Sequence, residues 1–108
     1  MPYYHSSKVE HPNGRVLTGP ATRGVVSQWC GKEPTFDGYR VYLWVGDGDP
    51  RTLSTISISQ EPLIVYEVEP QDEPLLDCKL GPWDSVSCES ALVVACVYRP
   101  AQEPDQKA

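Results

Sequence analysis

The sequence predicts a mostly β protein of the α+β class, built from two packed antiparallel sheets with little helix and a cleft between them. Runs rich in Val, Ile, Tyr and Trp recur along the chain, and segments rich in Pro and Gly separate them. With 108 residues, 40% of them hydrophobic, the chain can bury one modest core. We therefore predict one domain over residues 1–99 and a disordered tail over residues 100–108, where the sequence is polar and rich in proline.

The predicted strands follow from local composition and alternation. Residues 39–45 alternate best, with a hydrophobic side chain at every odd position. The β-type runs occupy residues 15–18, 24–30, 39–45, 61–69 and 91–99. Turn signals lie at residues 11–15, 31–38, 46–50, 69–74 and 80–83. This spacing predicts five or six strands.

One short helix is predicted between the third and fourth of these runs. Asp49 is a suitable N-cap, Pro50 suits the first helical position, and Leu53 and Ile56 would share the inner face. The helix would extend from Pro50 to about Ser57, and it is preferred to a strand because the family resemblance described below implies a helix there. The stretch "TISIS" also alternates like a strand, which is the competing interpretation.

The charge is distributed unevenly. Residues 1–60 carry a net charge of +1 and residues 61–108 a net charge of −7, which together give the −6 of the whole chain. An acidic half disfavours a broad nucleic-acid surface, but it leaves room for a local pocket that holds a small anionic ligand. No apolar run is long enough to span a membrane, and the N-terminus lacks the features of a secretory signal. We expect a cytoplasmic protein, with secretion as an effector left open.

The four cysteines form no CxxC pair and have no adjoining histidines, so the sequence predicts no zinc site. Cys96 lies in the apolar stretch "ALVVACVY" and is predicted to be a small buried hydrophobe. A disulfide between Cys78 and Cys88 is the alternative to reduced thiols. Trp29 and Cys30 end a β-type run and are predicted to lie in the core.

Three segments carry residues suited to chemistry: "YYHSS" with His5, "RVYLWV" with Tyr42, and "VYEVEPQDEPLLD" with Asp77. No serine-nucleophile elbow, P-loop or G-x-G-x-x-G motif accompanies them. Taken singly, each residue is more typical of a structural or solvated role than of a site. In combination, a histidine beside hydroxyls can orient a sugar, a strand tyrosine can stack on a flat cationic ring, and a carboxylate can stabilise a nascent cation.

Taken in this order, the segments resemble the H-Y-[D/E] branch of the ADP-ribosyltransferase superfamily, and within it the small bacterial rifamycin ADP-ribosyltransferases. The resemblance extends from about Tyr3 to Val97. "YHSS" is similar to the aromatic-His-Gly-Thr opening of the family. Residues 41–43 match the tyrosine strand of the family, residues 68–70 match its Val-Glu-Pro turn, and residues 87–97 match its last strand. The resemblance implies an ADP-ribosyltransferase-like split fold, NAD as the ligand, and an acceptor such as a rifamycin antibiotic or a macromolecule.

The resemblance also implies a role for each matching residue. His5 would hydrogen-bond the ribose on the nicotinamide side, and Ser7 would lie beside it where the family has a hydroxyl residue. Ser6 stands where the family has a glycine whose backbone approaches the carboxamide of nicotinamide. Tyr42 would stack on the nicotinamide ring. Asp77, in the acidic loop segment that follows the Val-Glu-Pro turn, would stabilise the positive charge that develops as the bond to nicotinamide stretches.

Other residues are candidates for the rest of such a site. Arg15 and Arg23 would contact the diphosphate of NAD, because a guanidinium matches phosphate geometry. Glu89 is the alternative catalytic acid. Trp44 and Trp83 would either line an acceptor pocket or be ordinary buried aromatics.

Two classes of function follow from the sequence. The first is an NAD-dependent mono-ADP-ribosyltransferase, in which His5, Tyr42 and Asp77 share one cleft. The second is a non-enzymatic β-rich binding or structural module, for instance a phage or accessory protein, in which these three residues need not converge.

Overall fold

A computed structural model describes residues 1–19, 38–55 and 62–100 of the chain. These residues form seven strands and one short 3-10 helix: β1 Tyr3–Ser7, β2 Val16–Thr18, β3 Val41–Gly46, the 3-10 helix Pro50–Ser54, β4 Ile64–Pro70, β5 Leu75–Leu80, β6 Trp83–Cys88 and β7 Ser90–Tyr98. The prediction of a mostly β chain with little helix is confirmed. The run 24–30 and the tail residues 101–108 lie outside the described residues.

The strands form one sheet, so the prediction of two packed sheets was wrong. The strand order is β2-β7-β4-β1-β3-β6-β5, and every neighbouring pair is antiparallel. β1 connects what would otherwise be two halves, because it pairs with β4 over its whole length and with β3 through Tyr4 and Trp44 alone. The sheet is therefore continuous, with its narrowest connection between β1 and β3.

The larger hydrophobic core covers one face of the sheet and draws on five strands. Its buried residues are Leu17, Val41, Leu43, Ile64, Tyr66, Val68, Val86, Cys88, Ala91 and Val93. Members from β2 and β3 meet in this cluster although four strand steps separate them, so the sheet curves around its core. Gly19, just after β2, lies so close to the backbone of Gly38–Arg40 that a Cβ there would be 2.2 Å from the carbonyl carbon of Tyr39.

The smaller core lies on the opposite face, where the 3-10 helix covers the sheet. Leu53 from this helix packs with Val65 and Trp83, and Tyr4 and Trp44 lie against them. Trp83 is 2% exposed, and its ring makes an edge contact with Tyr4 at a centroid separation of 6.0 Å. Trp83 is thus a core aromatic, whereas Trp44 is half-buried.

The helix begins as predicted and ends earlier. Asp49 is the N-cap, and its side chain accepts a hydrogen bond from the Arg51 N–H at 3.0 Å. Pro50 occupies the first turn, and Leu53 is buried. The helix ends at Ser54 rather than near Ser57 because the Ser54 hydroxyl donates to the Leu63 carbonyl at 2.6 Å, and the Leu63 N–H donates back to the Ser54 carbonyl at 2.8 Å. Ile56 lies outside the described residues.

Strands β5 and β6 form a hairpin around the turn signal at residues 80–83, although neither strand was among the predicted β-type runs. Gly81 takes a φ of 61° between them, and glycine tolerates this left-handed backbone well. The edge strand β5 has its neighbour β6 on one side only within the described sheet, and its leucines stay exposed: Leu75, Leu76 and Leu80.

Cys88 is a free thiol, so the alternative of a Cys78–Cys88 disulfide was wrong. Cys78 pairs with Ser85, three residues away from Cys88 along β6. The prediction that Cys96 is buried was also wrong, because it is exposed on β7, where two register shifts against β4 break the alternation. Cys88 is the buried thiol, and burial raises its pKa to about 11. Trp29 and Cys30 lie outside the described residues.

Candidate functional site

His5 lies on β1 at the point where β1 and β3 separate. Its Nδ1 is 2.9 Å from the main-chain carbonyl of Tyr42, and because a carbonyl only accepts, Nδ1 carries the proton and donates. The single backbone pairing of these strands, between Tyr4 and Trp44, lies one residue earlier on β1. The imidazole thus takes the place of a ladder N–H at this separation and holds His5 against Tyr42.

Strand alternation directs the side chains of His5 and Tyr42 to opposite faces of the sheet. His5 stands directly opposite Tyr66 on β4, and Tyr66 belongs to the larger core. Tyr42 lies between Val41 and Leu43, which both belong to that same core, so alternation directs the Tyr42 ring to the other face. The two residues therefore meet through the Tyr42 main chain, and both remain partly exposed.

The side chains of the two serines after His5 also lie on opposite faces of the sheet. The Ser6 hydroxyl donates to the Leu53 carbonyl at 2.9 Å and fastens the 3-10 helix to β1. The Ser7 Oγ lies 3.2 Å from Nε2 of His11 and accepts the Val9 N–H at 3.0 Å. Ser6 therefore supports the fold on one face, and Ser7 belongs to a polar group on the other.

His11 is a member of this polar group that the sequence did not single out. Its ring contacts Tyr66 edge-on at 5.4 Å and lies 6.4 Å from the His5 ring. The main-chain N–H of His11 donates to the Tyr66 hydroxyl at 2.8 Å. Nη1 of Arg15 lies 3.4 Å from His11 Nδ1. The Pro-Asn-Gly turn after His11 is the only sequence signal that the chain folds back here. This turn does not indicate which strand His11 contacts.

Asp77 lies on a strand rather than in the acidic loop that was expected. It is on β5, at a register shift between Leu76 and Cys78. β6 separates β5 from β3, and at ordinary strand spacing this places the Asp77 backbone about 10 Å from β3. The structure therefore brings His5 and Tyr42 together, with Asp77 two strands beyond.

Glu89 is exposed at the one-residue link between β6 and β7. Its N–H lies 3.0 Å from both carboxylate oxygens of Asp72, and the Ser90 N–H bonds to the same carboxylate at 3.2 Å. Asp72 thus holds this corner in place, a role that no sequence pattern predicts. Arg23 lies outside the described residues.

An open depression of about 590 Å³ lies beside the beginning of β1, lined by residues that include Tyr3, Glu67, Glu69 and Val94. Its two carboxylates make it unsuited to the phosphates of a dinucleotide. None of His5, Tyr42 and Asp77 lines it. The depression is therefore separate from the candidate site.

Within the ranges that the structure describes, no group of three or more His, Cys, Asp or Glu side chains is arranged to hold a metal ion. No helix in those ranges has both the length and the apolar character needed to cross a membrane. Comparison with protein-family models, with curated proteins and with solved structures found no match to this chain.

Proposed function

We propose that the chain is an NAD-dependent mono-ADP-ribosyltransferase that moves ADP-ribose from NAD to an acceptor and releases nicotinamide. The observation that supports this most directly is the 2.9 Å contact between His5 Nδ1 and the Tyr42 carbonyl. It joins the two residues to which the family resemblance assigns the ribose and the nicotinamide. They meet beside the single backbone pair that joins β1 to β3.

In this proposal His5 orients the ribose and Tyr42 stacks on the nicotinamide ring. The bond between the anomeric carbon and the nicotinamide nitrogen breaks, and its electron pair leaves with nicotinamide. A carboxylate stabilises the oxocarbenium-like sugar. An acceptor lone pair then forms the new bond to the anomeric carbon, and the acceptor proton passes to solvent.

Asp77 is the carboxylate in this proposal, and Glu89 is its alternative. Asp77 lies two strands from Tyr42, about 10 Å at ordinary strand spacing, which is the strongest observation against Asp77 and the reason why Glu89 is tested beside it.

Release of nicotinamide from NAD tests the proposal. We expect Asp77→Asn to lower kcat by about 10²–10³-fold, because it removes transition-state charge stabilisation. Tyr42→Ala should raise KM, and Tyr42→Phe should retain the stacking contact and most of the activity. Glu73→Gln is the matched control, because it neutralises an exposed carboxylate in the same acidic stretch.

The proposal fails if the wild-type protein releases no nicotinamide and NAD does not raise its melting temperature, since a ligand of the folded state must stabilise it. A loss of activity in Glu89→Gln but not in Asp77→Asn would instead assign the acid to Glu89.

A non-enzymatic β-rich binding or structural module is the second candidate. Two observations favour this module. The side chains of His5 and Tyr42 are directed to opposite faces of the sheet, and Asp77 lies on the far edge strand. On this account NAD leaves the melting temperature unchanged, and Tyr42→Ala has no effect beyond its influence on stability.

A further inference from the structure

The segment between β1 and β2 carries two cations without an acidic partner. Three of the described basic side chains form ion pairs: Arg51 with Asp49, Lys79 with Asp84 and Arg99 with Glu10. Arg40 is bonded to the Ser87 hydroxyl and carbonyl. Among the described residues, Lys8, Arg15 and Arg40 therefore have no carboxylate partner. Lys8 and Arg15 lie within eight residues of each other in a chain of net charge −6.

The one acid of this segment is turned toward another partner. Glu10 binds the Arg99 guanidinium through both of its carboxylate oxygens, and this pairing lowers the pKa of Glu10. Its negative charge is therefore neutralised by Arg99 rather than by Lys8 or Arg15. The remaining side chains of the segment give it a local positive charge.

The hydrogen bonds around His11 determine which groups can donate to a ligand. A guanidinium only donates, so the 3.4 Å contact from Arg15 makes His11 Nδ1 the acceptor. The ring proton then lies on Nε2 and is donated to the Ser7 oxygen at 3.2 Å. That oxygen also accepts the Val9 N–H, so the Ser7 hydroxyl hydrogen is directed to a further acceptor.

We propose that Ser7, His11 and Arg15 form a binding site for the phosphoryl oxygens of a nucleoside diphosphate. The Ser7 hydroxyl and the remaining Arg15 N–H groups are donors, and a guanidinium matches phosphate geometry. His11 sets the positions of both through its two ring nitrogens. Because the His5 and His11 rings are 6.4 Å apart, a ribose held at His5 can carry a diphosphate onto this site. The identity of the ligand as NAD rests on the proposed function, whereas the site itself does not.

Titration calorimetry with inorganic pyrophosphate and with ADP-ribose tests this site. We expect both to bind the wild-type protein, with an affinity that falls as salt is added. Arg15→Gln should weaken both by roughly tenfold or more, because it removes charge-assisted hydrogen bonds. Arg51→Gln is the matched control, an exposed arginine that is already paired with Asp49, and it should bind as the wild type does.

Equal binding by Arg15→Gln and the wild type would overturn the proposal, and so would an equal loss in Arg51→Gln. Chemical shifts of wild-type Ser7 and His11 on adding pyrophosphate provide a second readout that needs no variant, and unchanged shifts would also contradict the site. Pyrophosphate binding without nicotinamide release would retain this site and reject the transferase. Nicotinamide release with no pyrophosphate binding would retain the transferase and reject this site.

Discussion

At the scale of single residues, His5 combines a structural contact with a proposed ligand contact. The structural part is the hydrogen bond to the Tyr42 carbonyl. His5→Ala removes that donor and should lower the free energy of unfolding by about 1 kcal/mol. His5→Asn places an amide N–H close to the position of Nδ1 and should recover most of this loss, as measured by urea denaturation.

The same two variants separate stability from function. If His5 binds the ribose through the rest of its ring, neither variant releases nicotinamide although the Asn variant is stable. An Asn variant as unstable as the Ala variant would contradict the assigned hydrogen bond.

Residue roles were predictable from the sequence only where local pattern determines them. Asp49 and Pro50 act within one turn of chain, and their roles are confirmed. His11 could not be found in this way, because its main chain bonds to Tyr66, a residue 55 positions away. Cys96 was misplaced because register shifts in β7 turn its side chain outward.

At the scale of elements, the 3-10 helix shows how a capping carboxylate stabilises a short turn. Asp49 accepts bonds from the backbone and the guanidinium of Arg51, and these bonds, with the side-chain bond first, lower the pKa of Asp49. Asp49→Ala should lower the urea midpoint, since Leu53 in this helix is a core residue. Asp47→Ala, which removes a neighbouring exposed carboxylate, should leave the midpoint unchanged.

The pH dependence of this difference follows from the direction of the shift. Because the folded-state pKa is lowered, the contribution of Asp49 is present above its unfolded-state pKa and is lost as the pH falls through the folded-state pKa. The wild type and Asp49→Ala should therefore converge in stability in acid. A gap that stays constant down to low pH would contradict a role for the charged cap.

Strands were predictable where hydrophobic residues alternate, as in β3 and β4, and less so elsewhere. β5 has the sequence "LLDCKL", which lacks both alternation and β-branched residues, and it is held in the sheet by its hairpin with β6. β6 buries two serines, Ser85 and Ser87. Arg40 satisfies the Ser87 hydroxyl, a tertiary contact that local composition cannot reveal.

At the scale of the whole molecule, one curved sheet replaces the two expected sheets because β1 pairs on both sides. The predicted cleft between two sheets is thereby reduced to the separation of β1 from β3 after Tyr4. Sequence could suggest that His5 and Tyr42 belong together only through family resemblance, because 37 residues separate them. The distance to Asp77 depends on strand order, which no local pattern encodes.

A nitrogen-correlated NMR spectrum of the wild-type protein titrated with NAD shows directly whether NAD binds beside His5 and Tyr42. If NAD binds where β1 and β3 separate, the backbone signals of His5 and Tyr42 should shift together and saturate with one dissociation constant, while those of the 3-10 helix change little. Signals that stay unchanged up to millimolar NAD, or shifts confined to surfaces remote from β1 and β3, would contradict NAD binding at His5 and Tyr42.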